Sequence, residues 1–355
     1  MWQEFSEARP AGGDVVVTGD VAFESNLRVD KFASVTGEGG TMLDGGALES
    51  RMPGIYATET LSFANLGTFT TDEEGFIQNA ADLQGGIRNF SGGAVVIEQY
   101  AVGKRDVLVT VADTVFAENG RDMTHQVDGG AFTYRERTQG YAASPLFNRL
   151  EIRRSAFYNN RVQGYAGALD VDRVNEVLIE GSTFQNNSST VCGGAALFVR
   201  TKDIVIEDTS FFGNQAKKGG ALYVSYESPW AIGATLSPPF SADKGPTVTI
   251  RAVNRDVVFR DNVATSGEGS DLYIAKASSQ TPYLNLSVKA GRRFSSTARS
   301  FSTTLQGAAK SRKTASTSIP SRTTRAKWFS MEASARVGIR AVGDYRLPRR
   351  TAKPT

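Results

Sequence analysis

Apolar and polar residues alternate through the middle of the chain, as at Leu169 and Val171, Ile204 and Ile206, or Leu222 and Val224. That is the two-residue period of a strand, not the 3.6-residue period of a helix. Between residues 150 and 224 one phrase is written three times: LEIRRSAFYNNRVQGYAGALDV, VLIEGSTFQNNSSTVCGGAALFV and IVIEDTSFFGNQAKKGGALYV. Phe157, Phe184 and Phe211 stand 27 residues apart, and each is followed three residues later by an asparagine, at Asn160, Asn187 and Asn214. A fixed period of this length means that one unit cannot bury its apolar side alone and stacks on copies of itself. Gly193 and Gly194, then Gly219 and Gly220, precede the last strand of their units, where glycine permits positive φ and a sharp bend.

A coil with three short strands and no helix has the length of one turn of a right-handed parallel β-helix, with successive turns roughly 4.8 Å apart. The fold class expected is therefore all-β, a solenoid of about seven or eight coils. In it the three phenylalanines form one internal stack, and the three asparagines form a column at a bend, bonding nearby main chain. The pairing of F-x-x-N with a downstream G-G-A and an aliphatic residue resembles the repeat of the chlamydial polymorphic outer membrane proteins, shared with other β-helix proteins of the pectin-lyase-like class. The resemblance covers roughly residues 15 to 275. Further copies are read at Phe23 with Asn26 and Gly45 to Leu48, Phe76 with Asn79 and Gly92 to Val95, Phe116 with Asn119 and Gly129 to Phe132, and Phe259 with Asn262. Ala166 replaces the first glycine of one copy, and the last ends in Gly269, Ser270, Asp271 and Leu272.

Three regions follow: a lead-in over 1–13, the β-helix over 14–275 and a basic tail over 276–355. No long amphipathic helix precedes the first coil to cap it, which suggests truncation. Polar insertions leave the coil between Phe132 and Phe147 and from Ser225 to Thr247, the latter with Trp230 and Phe240. Solenoid insertions fall on corners and often build the binding face, although a variable surface loop has the same composition.

Charge divides the chain more than its net value of +3 implies. Residues 276–355 carry 17 Lys or Arg and two acids, Glu332 and Asp344, leaving 23 basic and 35 acidic residues before them. After Ile274 the periodicity stops, and the Ser, Thr, Ala, Arg and Lys that dominate residues 290–327 read as a disordered tail able to bind polyanions. No stretch reaches the roughly 18 apolar residues that span a bilayer. The N-terminus MWQEFSEARPAGG lacks a secretory leader. Asn89, Asn186, Asn187 and Asn285 each open an N-x-Ser sequon, and the resembling families are exported, so an extracellular or cell-surface place is expected.

Candidate chemistry is sparse. The hydrolase patterns of the pectin-lyase-like class (NTD, DD, GHG, RIK) are missing, and the sole histidine, His125, sits in a polar insertion. Cys192, the sole cysteine, reads as a small buried residue beside a Gly-Gly corner. Asp170 and Asp172 with Asp203 and Asp208 are weak candidates for a shared cation site on an exterior face, against the plainer reading of solvated strand-edge acids. The residues between the two inward positions of the last strand are read as Val96, Thr133, Asp170, Phe198, Tyr223 and Tyr273. Three outward aromatics, Phe198, Tyr223 and Tyr273, make a candidate platform for glycans or a partner protein, unless the 225–247 insertion covers them. No cofactor and no nucleic-acid motif is expected. The leading reading is a non-enzymatic secreted or surface adhesion scaffold, as the resemblance implies. The alternative is a carbohydrate-active β-helix, a lyase or hydrolase, acting on acidic polysaccharide.

Overall fold

A computed structural model describes residues 2–8, 12–31, 33–48, 52–99, 107–120, 129–136, 148–225, 246–276, 283–289, 291–297, 300–305, 316–318 and 339–342. Three long sheets run side by side down the molecule, and each coil contributes one strand to each. Sheet A runs from Gly13–Val17 through Asn148–Arg153, Glu176–Glu180 and Asp203–Glu207 to Tyr283–Val288 and Ile339–Val342. Sheet B runs from Val21–Ala22 through Ala156–Tyr158, Thr183–Gln185 and Ser210–Phe212 to Phe294–Ser296. Sheet C runs from Leu27–Val29 through Leu169–Asp172, Ala196–Val199 and Leu222–Ser225 to Leu272–Lys276 and beyond. Successive coils pair in parallel and in register, for example Phe157 with Phe184 and Phe184 with Phe211. The molecule is a parallel β-helix.

Inward residues fill one continuous apolar core from Phe5 to Leu284. The rings of Phe116, Phe157, Phe184, Phe211 and Phe259 superpose at centroid spacings of 5.0, 4.5, 5.2 and 4.7 Å, with interplanar angles of 16° or less. In-register parallel strands impose this spacing on any residue repeated at one rung position, and an aromatic there gains a face contact on both sides.

Upstream the column continues as Val21, Leu43 and Ile87, paired rung to rung. The sequence copies read at Phe23 and Phe76 are thereby corrected. Phe23 lies just past its strand, edge-on to Phe90 at 4.9 Å. Phe76 lies outside the coil altogether, and its Asn79 leads a short 3₁₀ turn. Gly45 to Ala47 form a turn, and Gly54 is the corner that actually leads into the next sheet C strand, Ile55–Ala57.

At the N-terminal end Trp2–Ala8 form a short helix that places Phe5 in the core, 5.7 Å from the Phe23 ring. At the other end an expectation changes. Strands do not stop at Ile274, because Tyr283–Val288, Phe294–Ser296 and Ser300–Leu305 add a ninth coil in parallel pairing. Most of the remaining basic tail lies outside the described residues.

Candidate functional site

The asparagine column is a buried ladder. Asn119, Asn160, Asn187 and Asn214 each pass an amide N–H to the next rung, their Nδ2 groups donating to the following asparagine's Oδ1 at 2.9 to 3.0 Å, and Asn262 ends the column by donating to Asp271 of its own coil at 2.9 Å. The other Nδ2 hydrogen goes back to the previous rung's carbonyl, as from Asn187 to Phe157 at 2.9 Å. Each Oδ1 also accepts the preceding asparagine's backbone N–H at 3.0 to 3.1 Å. The unusual backbone angle belongs to the residue before, at Glu118, Asn159, Asn186, Gly213 and Asp261, all with φ between 53° and 61°. The asparagine itself supplies the amide pairing, so Asn160, Asn187 and Asn214 hold the structure in a way that bond-counting from sequence underestimates.

A second ladder was invisible in the repeat pattern. Thr114, Ser155 and Ser182 each donate a backbone N–H to the next rung's hydroxyl, at Ser155, Ser182 and Thr209, at 3.1 to 3.2 Å. Each of these hydroxyls donates two residues back to its own strand's carbonyl. Ser and Thr interchange at this column, which hides it from identity matching although both supply the same hydroxyl.

The two glycines of the corner have different reasons. Gly129, Gly193, Gly219 and Gly269 occupy φ of 62° to 72°, and Ala166 holds the same left-handed position at 59°. Gly130, Gly167, Gly194 and Gly220 are instead pressed by the coil above: a Cβ on any of them would lie 2.0 to 2.3 Å from the next rung's carbonyl oxygen.

The candidate exterior residues fare unevenly. Register pairs Val96, Thr133, Asp170, Leu197, Tyr223 and Tyr273 along the outer face of sheet C. Phe198 is not among them. It pairs with Val171 and Val224 and is core, because Ala196 takes the inward place that Leu222 holds in the next coil, which puts Leu197 outward and Phe198 inward. Tyr223 and Tyr273 do stack outward, at 5.0 Å and 16°, but both are buried, beside Tyr165, Cys192 and Leu197. An exposed three-ring platform is therefore not what this face presents. Burial, with Cys192, Tyr273 and Glu268 nearby, drives the Tyr223 phenol well above its ordinary pKa. Partial burial works to lower the Lys218 ammonium, yet its bond to Glu268 and the neighbouring Tyr273 carry it above the ordinary value.

The four aspartates separate. Asp170 points outward, fully buried, with Arg135 Nη2 at 2.7 Å, and Glu98 lies on the other side of that guanidinium at 3.6 Å. Asp172 takes both arms of the buried Arg200, with Nε at 2.8 Å. Asp203 is partly exposed at the start of its sheet A strand, 3.7 Å from Lys202. Asp208 closes a corner, accepting the backbone N–H groups of Val253 and Asn254. The shared cation site is corrected accordingly, and among the described residues no group of three or more His, Cys, Asp or Glu gathers where a metal could sit. His125, Trp230 and Phe240 lie outside the described residues.

Chain segments of unequal length join sheet C to sheet A. In four coils the corner is three residues, at 30–32, 58–60, 173–175 and 200–202. In others it is the segments 100–106, 137–147 and 226–245, with 277–282 after the eighth coil. These four inserts therefore enter at the same corner of the solenoid, between sheets C and A.

Ladders of Phe, Asn, Ser or Thr, and Gly, each spaced by one rung, define a repeat-built parallel β-helix. Within it residues 208–225, from the Asp208 corner through Phe211, Asn214 and the Gly219–Gly220 turn to Ser225, match the family model of the Chlamydia polymorphic membrane protein repeat. The repeat is thus of that type. No curated protein and no solved structure matches the chain.

Proposed function

We propose that this chain is a non-enzymatic, secreted or cell-surface adhesion protein, whose β-helix holds ligand-binding inserts at one corner. The observation that carries the reading is the clustering of the 100–106, 137–147 and 226–245 segments at the sheet C to sheet A turn, while the coils themselves spend their polar groups on one another. A rigid solenoid presenting variable loops along one edge is how a scaffold separates recognition from stability. The membrane-protein origin of the matched repeat supports a surface location.

The full chain, immobilised, is assayed on a glycan array and on cultured cells, with reducing-end and unsaturated-product assays on every glycan bound. Binding without turnover is expected. Replacing 226–245 by the three-residue corner Arg-Thr-Lys of the 200–202 turn should leave folding intact and remove or redirect binding. Cleavage of a bound polysaccharide would overturn the non-enzymatic reading, and binding to no glycan or cell would overturn adhesion.

A further inference from the structure

The outer face of sheet B is occupied by a segment of the chain that belongs to a distant coil. After Leu61–Ala64 the chain leaves the solenoid through Gly67, runs out and back as the antiparallel pair Thr68–Phe69 and Leu83–Gln84, and returns at Gly86. Gly67 and Gly86 nearly touch, since a Cβ on Gly67 would lie 2.7 Å from the Gly86 nitrogen. The head of this strap reaches five coils along the helix.

Its docking is specific. The side-chain amide of Gln185 pairs with the main chain of Ile77 in both directions, receiving its N–H at 2.9 Å and donating to its carbonyl at 2.8 Å. Thr183 and Ser210 donate hydroxyls to the carbonyls of Gly75 and Glu74 at 2.8 and 2.7 Å. Phe76 meets the Phe212 ring edge-on at 5.2 Å, and the Arg260 guanidinium lies 4.8 to 4.9 Å from both rings while binding the Glu74 carboxylate at 2.5 Å. Ile77 sinks into an apolar patch with Val115, Ala117 and Ala156. An acid, a glycine carbonyl, an aromatic ring and an aliphatic side chain are thus each read by the groove, and the main chain at Ile77 is read in both directions by a side-chain amide.

We infer that the outer face of sheet B is a peptide-recognition groove for an extended Glu-Gly-Phe-Ile segment, and that the strap is its ligand held in cis. The groove residues Thr183, Gln185, Ser210, Phe212 and Arg260 alternate with the inward Phe184, Phe211 and Phe259, so the repeat that builds the core also builds the groove. The partner this surface fits is the strap segment itself, residues 74–77. Cis attachment keeps it filled, because a short tether supplies an effective concentration in the millimolar range.

The test is a full chain from which 69–83 is removed and bridged by Gly-Ser, titrated with a peptide of residues 70–80, TTDEEGFIQNA. Saturable one-to-one binding is expected, weakened at least ~10-fold by Phe76→Ala in the peptide or Arg260→Ala in the protein, because the buried aromatic and its cation form the centre of the contact. The intact chain should not bind the peptide. If the shortened chain does not fold, the Phe76→Ser, Ile77→Ser double variant serves instead: amides 74–78 should lose exchange protection while those of 184 and 211 keep it, and added peptide should still bind. A folded, groove-open variant that does not bind the peptide, or that binds the alanine peptide equally well, overturns the inference. Neither outcome bears on adhesion through the 100–106, 137–147 and 226–245 inserts.

Discussion

Asn187 is the residue on which the ladder can be tested with least ambiguity. Its side chain is fully buried and all four of its hydrogen-bonding capacities are used: Oδ1 accepts from the backbone N–H and Nδ2 of Asn160 at 3.1 and 2.9 Å, and Nδ2 donates to the Phe157 carbonyl and to Asn214 Oδ1 at 2.9 and 3.0 Å. Asn187→Ala removes a group of few atoms but orphans two buried donors on Asn160. Each orphaned donor costs about 1 to 3 kcal/mol, so a loss of about 4 kcal/mol is expected, a large share of a typical folding stability. Asn186→Gly is the control. Its side chain is exposed, its φ is 58°, and the next coil already has Gly213 there, so the change should be close to neutral.

Solenoids need not unfold in one step, so the denaturation midpoint is paired with a local readout. Hydrogen exchange of the Asn160 amide should accelerate strongly in Asn187→Ala, while the Asn214 amide, bonded to Asn262, stays protected. Asn187→Asp adds a sign. At neutral pH its second carboxylate oxygen would face the Phe157 carbonyl and Asn214 Oδ1, so burial and repulsion raise the folded pKa above the unfolded value of about 3.9. This variant should be most stable below about pH 4 and lose stability as pH rises toward the raised folded value. A loss under about 1 kcal/mol in the alanine variant, together with an unchanged Asn160 amide, would refute the ladder as a source of stability.

Other consequences are more briefly put. Ala166→Gly should stabilise by about 1 kcal/mol, because alanine pays for a left-handed φ of 59° that glycine does not; Gly194→Ala should cost about 3 kcal/mol or more, since its Cβ would lie 2.0 Å from the Gly220 carbonyl, and urea midpoints order the two. Arg200→Met leaves Asp172 buried without its cation and should cost about 3 to 5 kcal/mol, much of it recovered by adding Asp172→Asn, a pair of results that a double-mutant cycle measures. The phenols of Tyr134 and Tyr223 are held up by burial, so ultraviolet titration should leave two tyrosines unionised at pH 11; because their folded values exceed the unfolded value of about 10, stability is intact below pH 10 and falls above it.

Identity of spacing made most of the fold legible. Phe157, Phe184 and Phe211 with Asn160, Asn187 and Asn214 repeat at 27 residues because the coils between them carry no insertion, and the core follows directly. The same matching failed wherever the rung kept its shape but changed its residue. Val21, Leu43 and Ile87 do the work of phenylalanine in the first three coils, so Phe23 and Phe76, which spell the motif, drew attention away from them. Phe198 is hidden for a related reason: Ala196 fills an inward place that other coils give to Leu, and in a strand counting from the wrong residue exchanges inside for outside. Asp170, placed outward by alternation, is outward. That it is buried and gripped by Arg135 depends on a neighbouring coil 35 residues away, which no local pattern records.

The strap shows what a repeat cannot encode. Nearest-neighbour stacking fixes each coil only to the next, so coupling along a solenoid decays unless something spans several rungs. Contacts of Glu74, Gly75 and Ile77 with Ser210, Thr183 and Gln185 join residues more than one hundred positions apart, and they tie the third coil to the sixth, seventh and eighth. Removing the strap should therefore separate the melting of the N-terminal coils from that of the Phe184 to Phe259 coils, where the intact chain unfolds them together. Because a Phe-x-x-Asn string recruited for this purpose looks like one more repeat, its role is written in the insertion that carries it and not in the motif.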